Sequence, residues 1–330
     1  MAGNGGIIGP VNTVTAGSTI AATTTEITGS GTFVVQCAAC GGTRTGSVLV
    51  VAGGGSGGGQ AAGGGGAGGY RLLSCQTFPT SPLAVTIGAG GVGLGPTPVS
   101  PAESPGRQGC ASVFAATPNP ITSAGGGAGV HQATCNTNAQ GGSGGGGTSG
   151  SCGPVLTAAG NTPPTCPSQG NPGSFPGLPG PLYAVGGGGG GAGAVGANNS
   201  SGAAGAGGAG GDATPVFGAA PQPFYNPHNG VYAGGGGGAF DARTAGQTAG
   251  AGGSGGGTAG VGPGTSGNAT VNSGSGSGGG NYGPGGSGNS GNGGSGVILV
   301  KECATSLPAT APGIWSMNTV YEYVKDGNWV

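Results

Sequence analysis

The stretch YAVGGGGGGAGAVGANNSSG, Tyr183 to Gly202, contains six consecutive glycines, Gly186 to Gly191. Glycine loses more backbone freedom on ordering than any other residue and has no side chain whose burial could offset the loss. Such a run is either a flexible linker or a backbone held in place by other backbone. Comparable blocks recur at Gly53 to Gly69, Gly125 to Gly129, Gly141 to Gly147, Gly202 to Gly211, Gly234 to Gly238, Gly250 to Gly262 and Gly274 to Gly296, with spacers rich in Pro, Asn, Thr and Ser between them. Glycine supplies 93 of 330 residues and proline 25, a balance that suggests collagen or a disordered low-complexity chain. Collagen needs glycine at every third position, and GGGSGGGQAAGGGGAGGY (Gly53 to Tyr70) breaks that rule. Disorder follows from low hydrophobicity and high charge, whereas this chain is 34% hydrophobic and only 4% charged.

A third arrangement fits. Polyglycine adopts the polyproline II conformation, with three residues per turn, about 3.1 Å rise and no internal hydrogen bonds. Every N–H and C=O then needs a partner on a neighbouring helix. The missing Cβ atoms let helices approach closely enough to provide one, and Cα–H···O contacts add to the lattice. Gly186 to Gly191 would cross such a bundle over roughly 19 Å before NNSS turns the chain. The competing reading is flexible linkers throughout.

The ends of the chain differ from its middle. GTFVVQ (Gly31 to Gln36), GSVLVVAG (Gly46 to Gly53), PLAVTIGAGG (Pro82 to Gly91) and SGVILVKE (Ser295 to Glu302) are β-branched runs bounded by breakers, the pattern of strands. The last is as apolar as the second and is expected to return to the same small sheet. Near the C-terminus, Ile314, Met317, Val320, Tyr321 and Val324 share a helical face, with Ser316 as N-cap and Gly327 as stop. The expected fold is mainly β and irregular: a small antiparallel β base with an inserted bundle of polyglycine II helices and one short C-terminal α-helix. The expected organisation is an N-terminal segment, 1–28, a glycine-rich domain, 29–302, with its base at 29–91 and 295–302, and a C-terminal linker and helix, 303–330.

GSGTF (Gly29 to Phe33), SVLVVAGGGSGG (Ser47 to Gly58), GGGGAGGYR (Gly63 to Arg71), VTIGAGG (Val85 to Gly91) and GGSGVILV (Gly293 to Val300) resemble, in this order, the glycine-rich domain of bacteriophage tail fibres and tail-tip adhesins. The ending APGIWSMNTVYEYVKDGNWV is similar to endings of glycine-rich virion proteins of marine phages. The resemblance implies a polyglycine II sandwich whose variable loops bind host-cell surface structures. It departs at QCAACGGTRTG (Gln36 to Gly46), where relatives carry a proline-containing turn. It implies a homotrimer, a virion location as tail fibre or capsid surface after assembly in the host cytoplasm, and a host glycan or outer-membrane protein as receptor. Residues 1–28 would anchor the protein to other virion proteins through Ile7, Ile8 and Val11. A purely structural appendage, a capsid-mounted fibre or decoration protein without receptor binding, is the alternative. An ice-binding protein should show short, equal repeats, unlike these unequal blocks.

Helices without side chains recognise nothing, so contacts should come from loops. SFPGLPGPLY offers Phe175 and Tyr183, and QPFYNPHNGVY offers Phe224, Tyr225, His228 and Tyr232, aromatic faces beside Asn and Gln amides. The same rings could instead cap the bundle and shield it from water.

Other motifs are expected to be coincidental in a chain this rich in glycine. GAGGVG (Gly88 to Gly93) matches the dinucleotide-binding pattern, but LGPTPVSP follows where the phosphate-binding helix should start. GGSGG occurs around Ser56 and Ser143 and matches the nucleophile elbow. No enzyme, cofactor or metal set is expected. Cys37 and Cys40 form a C-x-x-C, a possible disulfide or redox pair, and Cys75, Cys110, Cys135, Cys152, Cys166 and Cys303 stand apart. Disulfides and buried free thiols are both open readings for these. A net charge of −1 with six basic residues argues against nucleic acid as a partner. No secretory signal or stretch of about 20 apolar residues suggests export through, or insertion into, a membrane.

Overall fold

The computed structural model describes residues 19–36, 44–79, 82–94, 105–115, 119–131, 137–148, 158–175, 185–200, 202–225, 227–243, 245–283, 286–306, 321–322 and 324–326. The strands are β1 (Thr19–Ile20), β2 (Thr23–Ile27), β3 (Gly31–Phe33), β4 (Arg44–Val51), β5 (Tyr70–Phe78), β6 (Leu83–Thr86), β7 (Ser112–Phe114), β8 (Ile121–Ser123), β9 (Gly211–Asp212), β10 (Val231–Tyr232), β11 (Tyr282–Gly283), β12 (Gly286–Ser287), β13 (Val297–Glu302) and β14 (Thr305–Ser306). They build two four-stranded antiparallel sheets, ordered β2-β13-β4-β5 and β3-β6-β7-β8. The expected return of the last apolar run is seen: β13 lies between β2 and β4, with Val297 opposite Val51 and Glu302 opposite Gly46. The single sheet is corrected to two, because GTFVVQ and PLAVTIGAGG pair with each other and not with β4. β2 falls inside the segment read as an anchor, so the base begins before residue 29.

Side-chain alternation explains the two layers. Val48, Val50, Ile298 and Val300 point between the sheets and pack with Phe33, Phe78, Leu83, Val85, Phe114 and Ile121. Phe33, Phe78 and Phe114 form a ring cluster with centroids 5.9–6.5 Å apart. Gly46 is a glycine because a Cβ there would strike the Phe78 ring and the Lys301 carbonyl, and the β4–β5 register shifts beside it. Leu49, Val51, Val297 and Leu299 point the other way, yet they too are fully buried. Their cover is the insert from β9 to β10, which contributes Ala213, Phe217, Tyr225 and Tyr232 and includes a short helix, α1 (Thr214–Phe217).

The glycine blocks leave from one edge of this sandwich as a lattice. Gly186, Gly189 and Ala192 donate to the carbonyls of Ala239, Gly236 and Ala233 at 2.7–2.9 Å; Gly187 and Gly190 donate to Gly147 and Gly144; Gly188 and Gly191 donate to Ala197 and Ala194. Their carbonyls accept in the same rhythm: Gly186 and Gly189 from Gly205 and Gly208, Gly187 and Gly190 from Gly64 and Ala67, Gly188 and Gly191 from Ser174 and Asn171. Each partner segment is met at every third residue, so the tract has the three-residue repeat of polyproline II and sits among six neighbours. Both the N–H and the C=O of all six glycines are paired, which is how an entropically costly sequence becomes ordered. The neighbouring block behaves alike: Ala62, Gly65 and Gly68 donate to Gly280, Ser277 and Gly274, and Gly63, Gly66 and Gly69 to Val130, Gly127 and Ala124.

Serines inside the blocks take part in the lattice. Ser277 Oγ donates to Gly291 O at 2.5 Å and accepts from Gly57 N at 3.0 Å. Ser266 Oγ donates to Gly278 O at 2.7 Å and accepts from Gly291 N at 2.8 Å. Each hydroxyl bridges two helices where a direct backbone bond is missing. At the C-terminal edge of the base, Glu302 and Arg44 form a buried ion pair at 3.5 Å. Arg44 also donates to Cys303 O at 2.6 Å and Gln36 O at 3.3 Å, and Glu302 accepts from Gln36 N at 2.9 Å. This pair ties β4 to the returning strand.

Candidate functional site

The hydrogen-bond registers sort the loops to two ends of the bundle. Gly186, Ala239 and Ala62 are linked in sequence at one end, whereas Ala192, Ala233 and Ala67 lie toward the base. Segment 52–58 runs outward from β4 and 62–69 returns into β5, since Ala52 N pairs with Gly69 O and Gly58 N with Gly63 O. The reversal at Gln60 and Ala61 is therefore at the tip. Both adopt positive φ, 60° and 55°. Thr148 Oγ1 donates to Ala61 O at 3.2 Å, and Val185 bridges to Phe240, which brings those residues to the same tip.

The tip also holds one of the candidate contact residues. Phe175 is 58% exposed. Its backbone N–H donates to Asn198 Oδ1 at 3.1 Å, which orients that amide with its NH₂ away from the bond, and Asn199 Nδ2 donates to Val185 O at 2.9 Å. Asp241 and Arg243 pair beside Phe240, with Arg243 Nε on Asp241 Oδ1 at 2.9 Å. Burial pushes the Asp241 carboxyl up, but its hydrogen bonds to the Arg243 side chain and backbone, with the guanidinium charge, outweigh this and hold it below the usual value. The described tip thus presents an aromatic ring, primary amides and one internally paired set of charges.

The second candidate loop is elsewhere. Residues 222–225 and 227–232 lie at the base end and cover the first sheet, so Tyr225 and Tyr232, at 1% and 0% exposure, are core residues and not a contact surface. The reason is the outer face of β4 and β13: its four apolar side chains need a lid, and the aromatic insert supplies it. Tyr225 OH donates to Gly218 O at 2.8 Å and Tyr232 OH to Phe224 O at 3.0 Å, so each buried hydroxyl is satisfied within the lid. Phe224 is half-buried and stacks edge-on to Tyr225 at 4.7 Å, and His228 is buried against Tyr232. A signal for this was present in the sequence, because SVLVV and GVILV are continuous apolar runs, which marks strands covered on both faces.

Tyr183, Ile7, Ile8, Val11, Cys37 and Cys40 lie outside the described residues, as do Cys135 and Cys152. Cys75, Cys110, Cys166 and Cys303 are free and exposed, which corrects the expectation of disulfides or buried thiols at these four positions. The chance motifs are lattice elements. Ser56 and Ser143 are fully buried, and Ser56 Oγ accepts from Arg107 N at 2.8 Å and donates to Val92 O at 3.1 Å. In GAGGVG, Gly88 O accepts from Gly296 N and Gly91 N donates to Gly54 O. Of the expected C-terminal helix, Tyr321, Glu322, Val324 and Lys325 are helical, with Tyr321 69% and Val324 56% exposed, and Asp326 is a turn residue whose N–H donates to Glu322 O; the other residues lie outside the described ones. No helix among the described residues is long and apolar enough to cross a membrane.

No curated protein matches the sequence. The sequence pattern of the glycine-rich domain matches residues 23–302. Those limits are the first residue of β2 and the last of β13, Thr23 and Glu302, which face each other in the first sheet. The matched region is therefore one closed structural unit whose chain leaves and re-enters through the same strand pair, and the protein belongs to the glycine-rich domain family.

Proposed function

We propose that the protein is a virion attachment protein of a bacteriophage, a tail fibre or adhesin that holds host-binding loops at the far end of a polyglycine lattice. The observation that carries this reading is the pairing of both backbone groups of each residue from Gly186 to Gly191 with six surrounding segments. A scaffold so connected holds loops rigidly without using side chains, leaving the loops free to vary. The exposed Phe175 ring beside the Asn198 amide suits a host glycan or an outer-membrane protein loop. In this reading the chain works as a homotrimer and the segment N-terminal to β2 joins it to other virion proteins.

The test is adsorption of the phage that carries this protein to its host cells. Purified full-length protein in excess slows adsorption, and the double variant Phe175→Ala, Asn198→Ala competes less well while keeping the wild-type unfolding temperature. Antibody labelling of intact virions places the protein on tail or capsid. Labelling without competition would assign it to a purely structural appendage, and no labelling would overturn the virion assignment.

A further inference from the structure

The lid formed by residues 211–232 contains an unused titratable group. His228 is buried, its ring centroid is 5.2 Å from that of Tyr232, and its Nε2 has no hydrogen-bond partner. A neutral imidazole tolerates one unmade bond, but an imidazolium has two donors to satisfy and a charge that burial penalises strongly. No carboxylate among the described residues is hydrogen-bonded to the His228 ring, whose other bond is to the Val271 backbone. Asp212 on β9 accepts from Thr214 N at 2.8 Å, and Lys301 on β13, a like charge to an imidazolium, donates to Val216 O at 2.6 Å. Tyr70 on β5, with Tyr225 and Tyr232 in the lid, is neutral across the physiological range, because burial pushes all three hydroxyls upward. Glu26 on β2 has an exposed side chain whose carboxyl is raised by partial desolvation. Beneath the lid lie Leu49, Val51, Val297 and Leu299.

We propose that residues 211–232 form an acid-released lid: protonation of His228 undocks it from the first sheet and bares the apolar face of β4 and β13 together with Tyr225 and Tyr232. This goes beyond the attachment reading and holds whether or not the tip binds a host.

Burial lowers the His228 pKa, and a hydrogen bond with the Val271 backbone opposes this in part. A free histidine titrates at about 6.5, so below that pH the undocked lid binds a proton that the docked lid refuses. Docking is complete at neutral pH and weakens as pH falls, until the docked pKa is reached. With one coupled proton, the undocked population rises by up to about tenfold per pH unit in that window.

The experiment follows amide exchange in the full-length protein between pH 7 and pH 5, corrected for the intrinsic pH dependence of exchange, with 8-anilinonaphthalene-1-sulfonate fluorescence as a second readout. Protection at Ala213, Phe217 and Val231 is expected to fall and dye binding to rise, while Gly186 to Gly191 stay protected. His228→Gln removes this response and His131→Gln keeps it. A wild-type lid whose protection and dye binding do not change with pH, or a response that survives in His228→Gln, overturns the proposal. If His228→Gln does not fold, the wild-type imidazole shift decides. A His228 titration that tracks lid protection supports the switch, and one that proceeds while protection holds rejects it.

Discussion

Replacing Gly189 by alanine tests the lattice where it is most crowded. A Cβ at this position would overlap the backbone carbonyl of Gly65, closer than real Cβ contacts come. Gly65 O itself accepts from Gly236 N at 2.9 Å, Gly189 N donates to Gly236 O at 2.9 Å, and Gly208 N donates to Gly189 O at 2.9 Å. Relief of the overlap requires the helices to separate, which loosens these three bonds at about 1 kcal/mol each and adds an overpacking cost of about 1–3 kcal/mol. Gly189→Ala should therefore destabilise by about 4–6 kcal/mol, a large part of the roughly 5–15 kcal/mol that holds a typical domain. Gly267→Ala is the matched control. It changes another glycine of the same bundle, but one that is exposed, where the nearest atom to a new Cβ is Thr258 Cγ2 at 3.9 Å. It should be neutral or gain about 0.4–1 kcal/mol, because alanine restricts the unfolded chain. Thermal unfolding by circular dichroism, at about 2 °C per kcal/mol, separates the two by about 8–14 °C. Equal midpoints would refute the argument that steric closeness of backbones is what requires glycine here.

Three further measurements probe other levels of the structure. Amides of Gly186 to Gly191 should exchange near the global unfolding rate, and exchange at the unstructured-chain rate would remove the lattice altogether. Glu302→Gln leaves Arg44 buried without its counter-charge and should cost about 3 kcal/mol in chemical denaturation; a loss well under 1 kcal/mol would show that the pair is solvated. Ser277→Ala strands Gly57 N and Gly291 O, and about 2 kcal/mol of lost stability is expected from calorimetry, whereas an unchanged midpoint would mean that the hydroxyl bridges nothing that matters.

The sequence by itself determined what kind of order was available. Blocks of glycine without collagen's strict period, in a chain with little charge, leave inter-helix backbone pairing as the arrangement that satisfies every N–H and C=O, and the β-branched runs at 48–51 and 297–300 mark the base. These features are local and follow from residue type. The six neighbours of Gly186 to Gly191 were not legible, because glycine carries no side chain to encode a partner and register emerges only when all segments pack together. For the same reason the two buried aromatic residues Tyr225 and Tyr232 could be read as tip contacts. Their composition suits either a binding loop or a lid, and only the register of 204–210 and 233–239 shows that the insert between them emerges at the base end, over the uncovered face of β4 and β13. Tertiary structure thus decided which loops face outward and which close the core, since that depends on the direction in which each glycine helix runs, and a run of glycines has no side chains to encode that direction.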